Sequence, residues 1–141
     1  DLGSAETVNY HEVDETLSEA VLQALGGPVG TVVEASGSAA AMEAALRIAR
    51  PQGKVLILGD YGENRAGFRW NVLLHRELEL IGCNASAGAW GEAVKRAASG
   101  SLPLERLVSR RLPATRFEEA VELAQSSRDV IKVVMEWNRG V

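Results

Sequence analysis

Several residues of this chain have types and spacing suited to holding a small ligand. The turn Ala35-Ser36-Gly37-Ser38 closes an apolar run, and its small residues let a ligand approach the backbone closely. The same residues could instead cap a helix, at Ser36 or at Ser38, and spacing leaves both readings open. Leu58-Gly59-Asp60 closes a second apolar run, either as part of a ligand edge or as an ordinary strand exit. Lys132 interrupts the apolar segment from Ile131 to Met135. A cation there requires an anion or solvent, so it is an anion contact or an edge-strand lysine lying in water. Glu34 is buried by pattern and could serve as a general base. The one cysteine, Cys83, reads as a small buried apolar group rather than a nucleophile. His11 and His75 are expected on the surface, and with Cys83 they make no recognisable zinc site. Arg110-Arg111 could meet a phosphate or form a solvated face, and Trp70, Trp90 and Trp137 are expected to pack.

The elements that position these residues follow from the run Thr31 to Gly59. Thr31-Val32-Val33-Glu34 and Lys54-Val55-Leu56-Ile57-Leu58 are short, β-branched and closed by small residues, as parallel strands buried on both faces are. Between them lies an alanine-rich helix from about Ala39 to Ala49, ended by Pro51 and Gly53. A right-handed crossover of this kind brings Ala35–Ser38 and Leu58–Asp60 to one sheet edge, where ligands of open α/β sheets bind.

Upstream, Asp1–Gly3 reads as the tail of a helix and Thr7–Tyr10 as a short strand. Asp14 is placed to cap a helix with the stripe Leu17, Val21, Leu22 and Leu25, stopped by Gly26-Gly27-Pro28. Downstream, Phe68–Leu74 is a short helix or irregular, and Glu77–Gly82 alternates charged and apolar residues like an edge strand. Ser86 could start a helix with Trp90, Val94, Ala97 and Ala98 on one side. Leu107-Val108 marks a strand. Thr115 and Glu118 form a capping box for a helix burying Phe117, Ala120, Val121 and Ala124, and Ile131–Trp137 is a closing strand. Alternating strands and helices make this an α/β chain.

A length of 141 residues suffices for one domain with a real core, and 46% apolar with 24% charged residues is ordinary for a globular protein. A net charge of −4 gives no case for nucleic acid or an anionic membrane surface, and no run spans a bilayer. A single cysteine excludes an internal disulfide and fits a reducing, cytoplasmic setting. The start, Asp1-Leu2-Gly3-Ser4, has no signal-peptide character, and the chain is expected to be a processed or excised piece.

Val32-Val33-Glu34-Ala35-Ser36-Gly37, Arg50-Pro51-Gln52-Gly53-Lys54-Val55-Leu56-Ile57-Leu58-Gly59, Glu77–Gly82, Arg116-Phe117-Glu118-Glu119-Ala120 and Val130–Val134 occur in order. Together they resemble the zinc-type alcohol dehydrogenases, the medium-chain dehydrogenase/reductases, nearest the polyol or sorbitol dehydrogenase branch. The resemblance covers only the later part of such an enzyme. It implies a partial Rossmann fold, doubly wound with a mainly parallel sheet and flanking helices, lacking the first βαβ, over residues 1–141 with a C-terminal return segment. Without strands 1 and 2 of the order 3-2-1-4-5-6, the hydrophobic face of the strand at Thr31 is expected to be open. The implied cofactor is NAD or NADP. Zinc belongs to the parent enzyme, with no ligands in this chain. The resemblance places Ala35, Ser36 and Gly37 beside a cofactor ribose and Leu58, Gly59 and Asp60 along the nicotinamide ribose and carboxamide. It places backbone at Cys83 and Asn84 on the carboxamide, and Lys132 on the pyrophosphate. It makes Glu34 structural, bonded to nearby backbone. The implied partners are the remainder of the parent or a second copy in a homodimer paired near Glu77–Gly82. The implied reaction is hydride transfer between a secondary alcohol and nicotinamide, with the isolated chain inactive. A zinc-free quinone-reductase-like enzyme and a non-catalytic nucleotide- or protein-binding module are the alternatives.

Overall fold

The computed structural model describes residues 4–9, 11–12, 16–63, 65–84, 86, 88–126 and 129–137. Its chain divides into two compact units, Gly3–Ala87 and Gly88–Val141.

The first unit is a three-stranded parallel sheet in the order β1-β2-β3 with helices against it. Helix α1 (Leu17–Leu25) is followed by β1 (Val29–Glu34), α2 (Ala39–Ile48) and β2 (Ala49–Ile57). Helix α3 (Trp70–His75) then leads into β3 (Glu79–Gly82). The expected cap Asp14 and the expected helix tail at Asp1–Gly3 lie outside the described residues. Thr16 starts α1: its backbone N–H and hydroxyl donate to the Glu19 carboxylate at 3.0 and 2.6 Å. Gly26, left-handed at φ 72°, ends the helix. The expected stripe of α1 is only partly covered, with Leu25 exposed, and its buried residues are Ser18 and Ala20. No strand forms over Thr7–Asn9, and Tyr10 lies outside the described residues.

Alanine lets α2 sit close on the sheet, and the core gathers Met42, Ala45, Leu46, Ala49, Val55 and Leu78. Burying Leu46 and Val55 is worth about 1.5–3 kcal/mol each. Burial on both faces of β1 is not observed. Glu34 is buried, but Val33 is 54% exposed, so the strand presents an open face.

The Pro-Gln-Gly break does more than end a helix. Strand β2 begins at Ala49, opposite Val29, and after a register shift Lys54 pairs with Thr31. Residues 50–53 are thus a bulge inside the strand. Gln52 adopts φ 58° there, and its N–H donates to the Arg76 carbonyl at 2.8 Å. Glu77, expected in β3, instead takes a left-handed turn at φ 52° and accepts from Gln52 Nε2 at 2.7 Å. Strand β3 lies at the sheet edge as expected, and Glu79 pairs with Lys54 of β2 at 3.3 Å.

The second unit contains α4 (Trp90–Ala98), a 3-10 turn (Leu104–Leu107), β4 (Val108–Pro113), a 3-10 turn (Ala114–Arg116), α5 (Phe117–Ser126) and β5 (Lys132–Glu136). Strands β4 and β5 pair in parallel. Ser86 does not start α4; it is a turn residue at φ 66°, and the helix begins at Trp90. The expected capping box at Thr115 gives way to the 3-10 turn, and Arg116 pairs instead with Glu119. Ala120 is buried in α5, but Phe117 is 55% exposed. The three tryptophans do not pack into the core: Trp70, Trp90 and Trp137 are all exposed. Arg111 is paired with Glu105 at 2.5 Å and with Glu136 at 3.4 Å.

Candidate functional site

The parallel register decides where the strand tips fall. Glu34, Ile57 and Gly82 are aligned across β1, β2 and β3. The ladder runs one step further, as the N–H groups of Leu58 and Gly59 both donate to the Glu34 carbonyl, at 2.8 and 3.0 Å. The N–H of Cys83 donates to the Ile57 carbonyl at 2.9 Å. Residues 35–37, 58–60 and 83–84 therefore leave the sheet side by side at its carboxyl edge, the edge at which open α/β sheets bind ligands.

Glu34 organises this edge. Its Oε1 accepts from the Ser36 N–H at 2.7 Å, the Ser36 hydroxyl at 2.6 Å and the Gly37 N–H at 3.1 Å. Its Oε2 accepts from the Tyr61 hydroxyl at 2.9 Å. Burial raises the carboxyl pKa, but bonds from Ser36, Tyr61 and Gly37 together outweigh it and hold the value below the usual glutamate range. The group is a buried carboxylate whose acceptor sites are taken, so it tethers the turn rather than abstracting a proton.

Tyr61 was absent from the residues singled out by sequence, being 27 positions from its partner. Its ring packs against the core cluster, and its hydroxyl also stands 3.3 Å from the Ser38 carbonyl oxygen. Burial first, and then the Glu34 carboxylate, push the phenol up to about 12. A tyrosine in a glycine-flanked polar loop carries no local signal of this contact.

The two readings of the first turn divide between its serines. Ser38 caps α2, its Oγ accepting from the Ala41 N–H at 3.3 Å. Ser36 is committed to Glu34 and accepts from the Ser38 N–H at 3.2 Å. Gly37 is left-handed at φ 70°, and a β-carbon there would lie 2.2 Å from the Asp60 carbonyl oxygen. The glycine is demanded by the neighbouring loop, whatever a ligand also requires. Asp60 in turn accepts from the Gly62 N–H at 2.8 Å.

Ala35, Ser36, Leu58, Asp60, Cys83 and Asn84 are exposed at the edge. Cys83 is not the buried apolar group its rarity implied; it is exposed, one residue past the end of edge strand β3. A β-carbon on Gly82 would meet nothing within 4 Å, so the β3 tip borders open space. Small side chains, exposed backbone and this open ground fit a flat ligand lying across the three tips. Lys132 is exposed at the start of β5, in the second unit. His11 and His75 are exposed. Among the described residues, no three of His, Cys, Asp and Glu gather as a metal site, so the residues present do not fit a zinc ion. Nor, among them, is any helix long and apolar enough to cross a membrane.

The family model described as zinc-binding dehydrogenase matches residues 1–99. The erythritol/L-threitol dehydrogenase of Mycolicibacterium smegmatis is 26% identical over 134 residues, covering 93% of this chain and 36% of the relative. Among solved structures, the alcohol dehydrogenase TADH from Thermus sp. ATN1 superposes with a TM-score of 0.79 at 27% identity, over 93% of this chain and 38% of that one. A short chain alcohol dehydrogenase of Escherichia coli CFT073, complexed with NADH, shares the fold with a TM-score of 0.82 at 15% identity, over 94% and 39%. The chain spans less than two-fifths of the length of each of these proteins.

Proposed function

The chain belongs to the zinc-binding dehydrogenase family, and from that premise we propose that it is part of the nucleotide-binding portion of an NAD(P)-dependent alcohol or polyol dehydrogenase. The observation that carries this reading is the alignment of Glu34, Ile57 and Gly82, which sets three loops along one carboxyl edge. In this role Ala35, Ser36 and Gly37 line a ribose, Leu58, Gly59 and Asp60 run along the nicotinamide half, and backbone at Cys83 and Asn84 meets the carboxamide. A bound nicotinamide supplies the hydride acceptor or donor, and the protein supplies position. Glu34 keeps the first turn rigid, and the small residues keep the backbone approachable. Lys132 is proposed separately as a contact to the pyrophosphate.

Two features support a larger whole. Strand β1 has a partner on one side only among the described residues, and Val33 is open. An apolar groove of about 380 Å³ runs beside it, lined by Leu17, Val21, Val32, Val33, Ala41 and Ala45 among others. The remainder of the parent would cover this side, and a second copy could pair along β3 at the opposite edge. Hydride transfer to or from a secondary alcohol would then need groups that the 141-residue chain lacks. Oxidation of a polyol by the purified chain alone would overturn this.

The direct test is a titration with NADH followed by backbone amide resonances. Shifts confined to Ser36, Gly37, Gly59, Asp60 and Asn84 are expected. Shifts elsewhere, or none at millimolar NADH, would sink the reading. Calorimetry on Lys132→Ala tests the pyrophosphate contact independently; unchanged affinity would remove that residue from the site.

A further inference from the structure

The loop after β2 is anchored at one point that the strand ladder does not explain. Tyr61 has its ring on the core, against the cluster of Met42, Leu46 and Val55, and its hydroxyl on two acceptors of the neighbouring turn. Those acceptors, Glu34 Oε2 and the Ser38 carbonyl oxygen, flank the segment 35–37 from before and after. The Glu34 oxygen is the nearer of the two, at 2.9 Å against 3.3 Å. Glu34 holds the same segment from below through Ser36 and Gly37. The Asp60 carbonyl meanwhile abuts Gly37 so tightly that no side chain fits between them. Turn and loop are therefore locked face to face, and the tyrosine is the side chain that reaches from one to the other.

We propose that Tyr61 is a positioning residue, a latch that holds the loop Leu58–Gly62 against the turn Ala35–Ser38 and so sets the spacing between the two tips for a nicotinamide nucleotide. This rests on the preceding assignment of that edge to a dinucleotide. Tyr61 acts through Glu34 and the loop backbone, and touches no ligand. A hydrogen bond to an ionised carboxylate is among the stronger neutral-donor contacts, and its partial burial shields it from competing water. Deleting the hydroxyl while keeping the ring frees the loop without emptying the core.

The test compares the protein with its Tyr61→Phe variant by amide hydrogen exchange and by NADH titration. Exchange at Gly59 and Gly62, whose N–H groups donate to the Glu34 carbonyl and to Asp60, is expected to speed up about tenfold, with Val55 and Leu56 unchanged, because one hydrogen bond to a charged group is lost. The NADH dissociation constant is expected to rise about fivefold, since a looser pair of tips must be ordered on binding. Faster exchange with unchanged NADH affinity would make Tyr61 a structural residue only and overturn the proposal. Unchanged exchange would overturn it too, as would loss of protection at Val55 and Leu56, which would place Tyr61 in the core rather than on the loop. Absence of NADH binding in the unsubstituted protein is a different failure: it removes the dinucleotide assignment, and the positioning role falls with it.

Discussion

Gly59 and Gly37 face each other across the carboxyl edge so closely that a β-carbon on Gly59 would lie 2.1 Å from the Gly37 nitrogen and 2.5 Å from Glu34 Oε2. Two glycines 22 positions apart thus share one requirement. Gly59→Ala is expected to destabilise the protein by about 3 kcal/mol, because backbone and a tethered carboxylate must move together. Gly37→Ala adds a left-handed residue to a similar clash and should cost at least as much. Gly62→Ala is the control: φ is 54° there but nothing lies within 4 Å, so the cost should stay near 1 kcal/mol. Denaturant melts of the three variants check the order.

Glu34 has a depressed pKa, so its contribution has a definite pH window. Above the unfolded value of about 4.3, folded and unfolded chains both carry the charge and the contribution is complete. As pH falls below that, the unfolded chain takes up a proton that the folded chain resists, and the contribution fades until the folded carboxyl also protonates. Glu34→Gln should cost about 1–3 kcal/mol at neutral pH, from donors left without a charged acceptor. The gap between variant and parent should narrow on acidification below about 4.3. A gap independent of pH between 7 and 3 would contradict the assignment.

At the other end of the scale, the Tyr61 phenol is held neutral up to about 12. A phenol in the unfolded chain ionises near 10, so stability from this group is complete below that and declines as pH rises through the folded value. Absorbance at 295 nm should show a tyrosine that ionises near 12, and Tyr61→Phe should remove that late step.

Cys83 is exposed beside the β3 tip. One equivalent of a thiol reagent should react without denaturant. NADH at saturation should slow that reaction severalfold if the dinucleotide covers the edge, and equal rates with and without NADH would argue against that placement.

Arg76 bonds the Leu46 carbonyl at 2.9 Å, the Arg47 carbonyl at 3.1 Å and, additionally, the Ala49 carbonyl. These are carbonyls at the end of α2, which a cation satisfies along with the helix dipole. Arg76→Met keeps the aliphatic stem and should cost about 1–2 kcal/mol, read as a lower Tm with NADH binding unaltered.

The carboxyl edge was legible in sequence because its signals are local. A β-branched run closed by Ala-Ser-Gly, and another closed by Leu-Gly-Asp, need no distant partner to be recognised as strand exits. The buried state of Glu34 followed from its place at the end of an apolar run. Contacts across many positions were not legible. Tyr61 lies in a polar loop, and only the folded chain brings it to Glu34. Exposure of Trp70, Trp90, Trp137 and Phe117 depends on what faces each helix or strand end, which periodicity does not encode. Pro51-Gln52-Gly53 carries the signature of a chain stop, and its role as a bulge emerges only when Ala49 and Lys54 both find partners on β1. The start of α1 was readable in principle, since Thr16 and Glu19 have capping-box spacing.

That bulge separates length from alignment. Pairing between β1 and β2 is established once before residues 50–53 and again after them, so the stretch from Lys54 onward takes its register from Thr31 and not from the helix that precedes it. Extra residues introduced at Gln52 would be looped out at the far end of the sheet, leaving Ile57 opposite Glu34. An insertion there is expected to cost the Gln52 bonds to Arg76 and Glu77, at the opposite end of the sheet from the ligand edge.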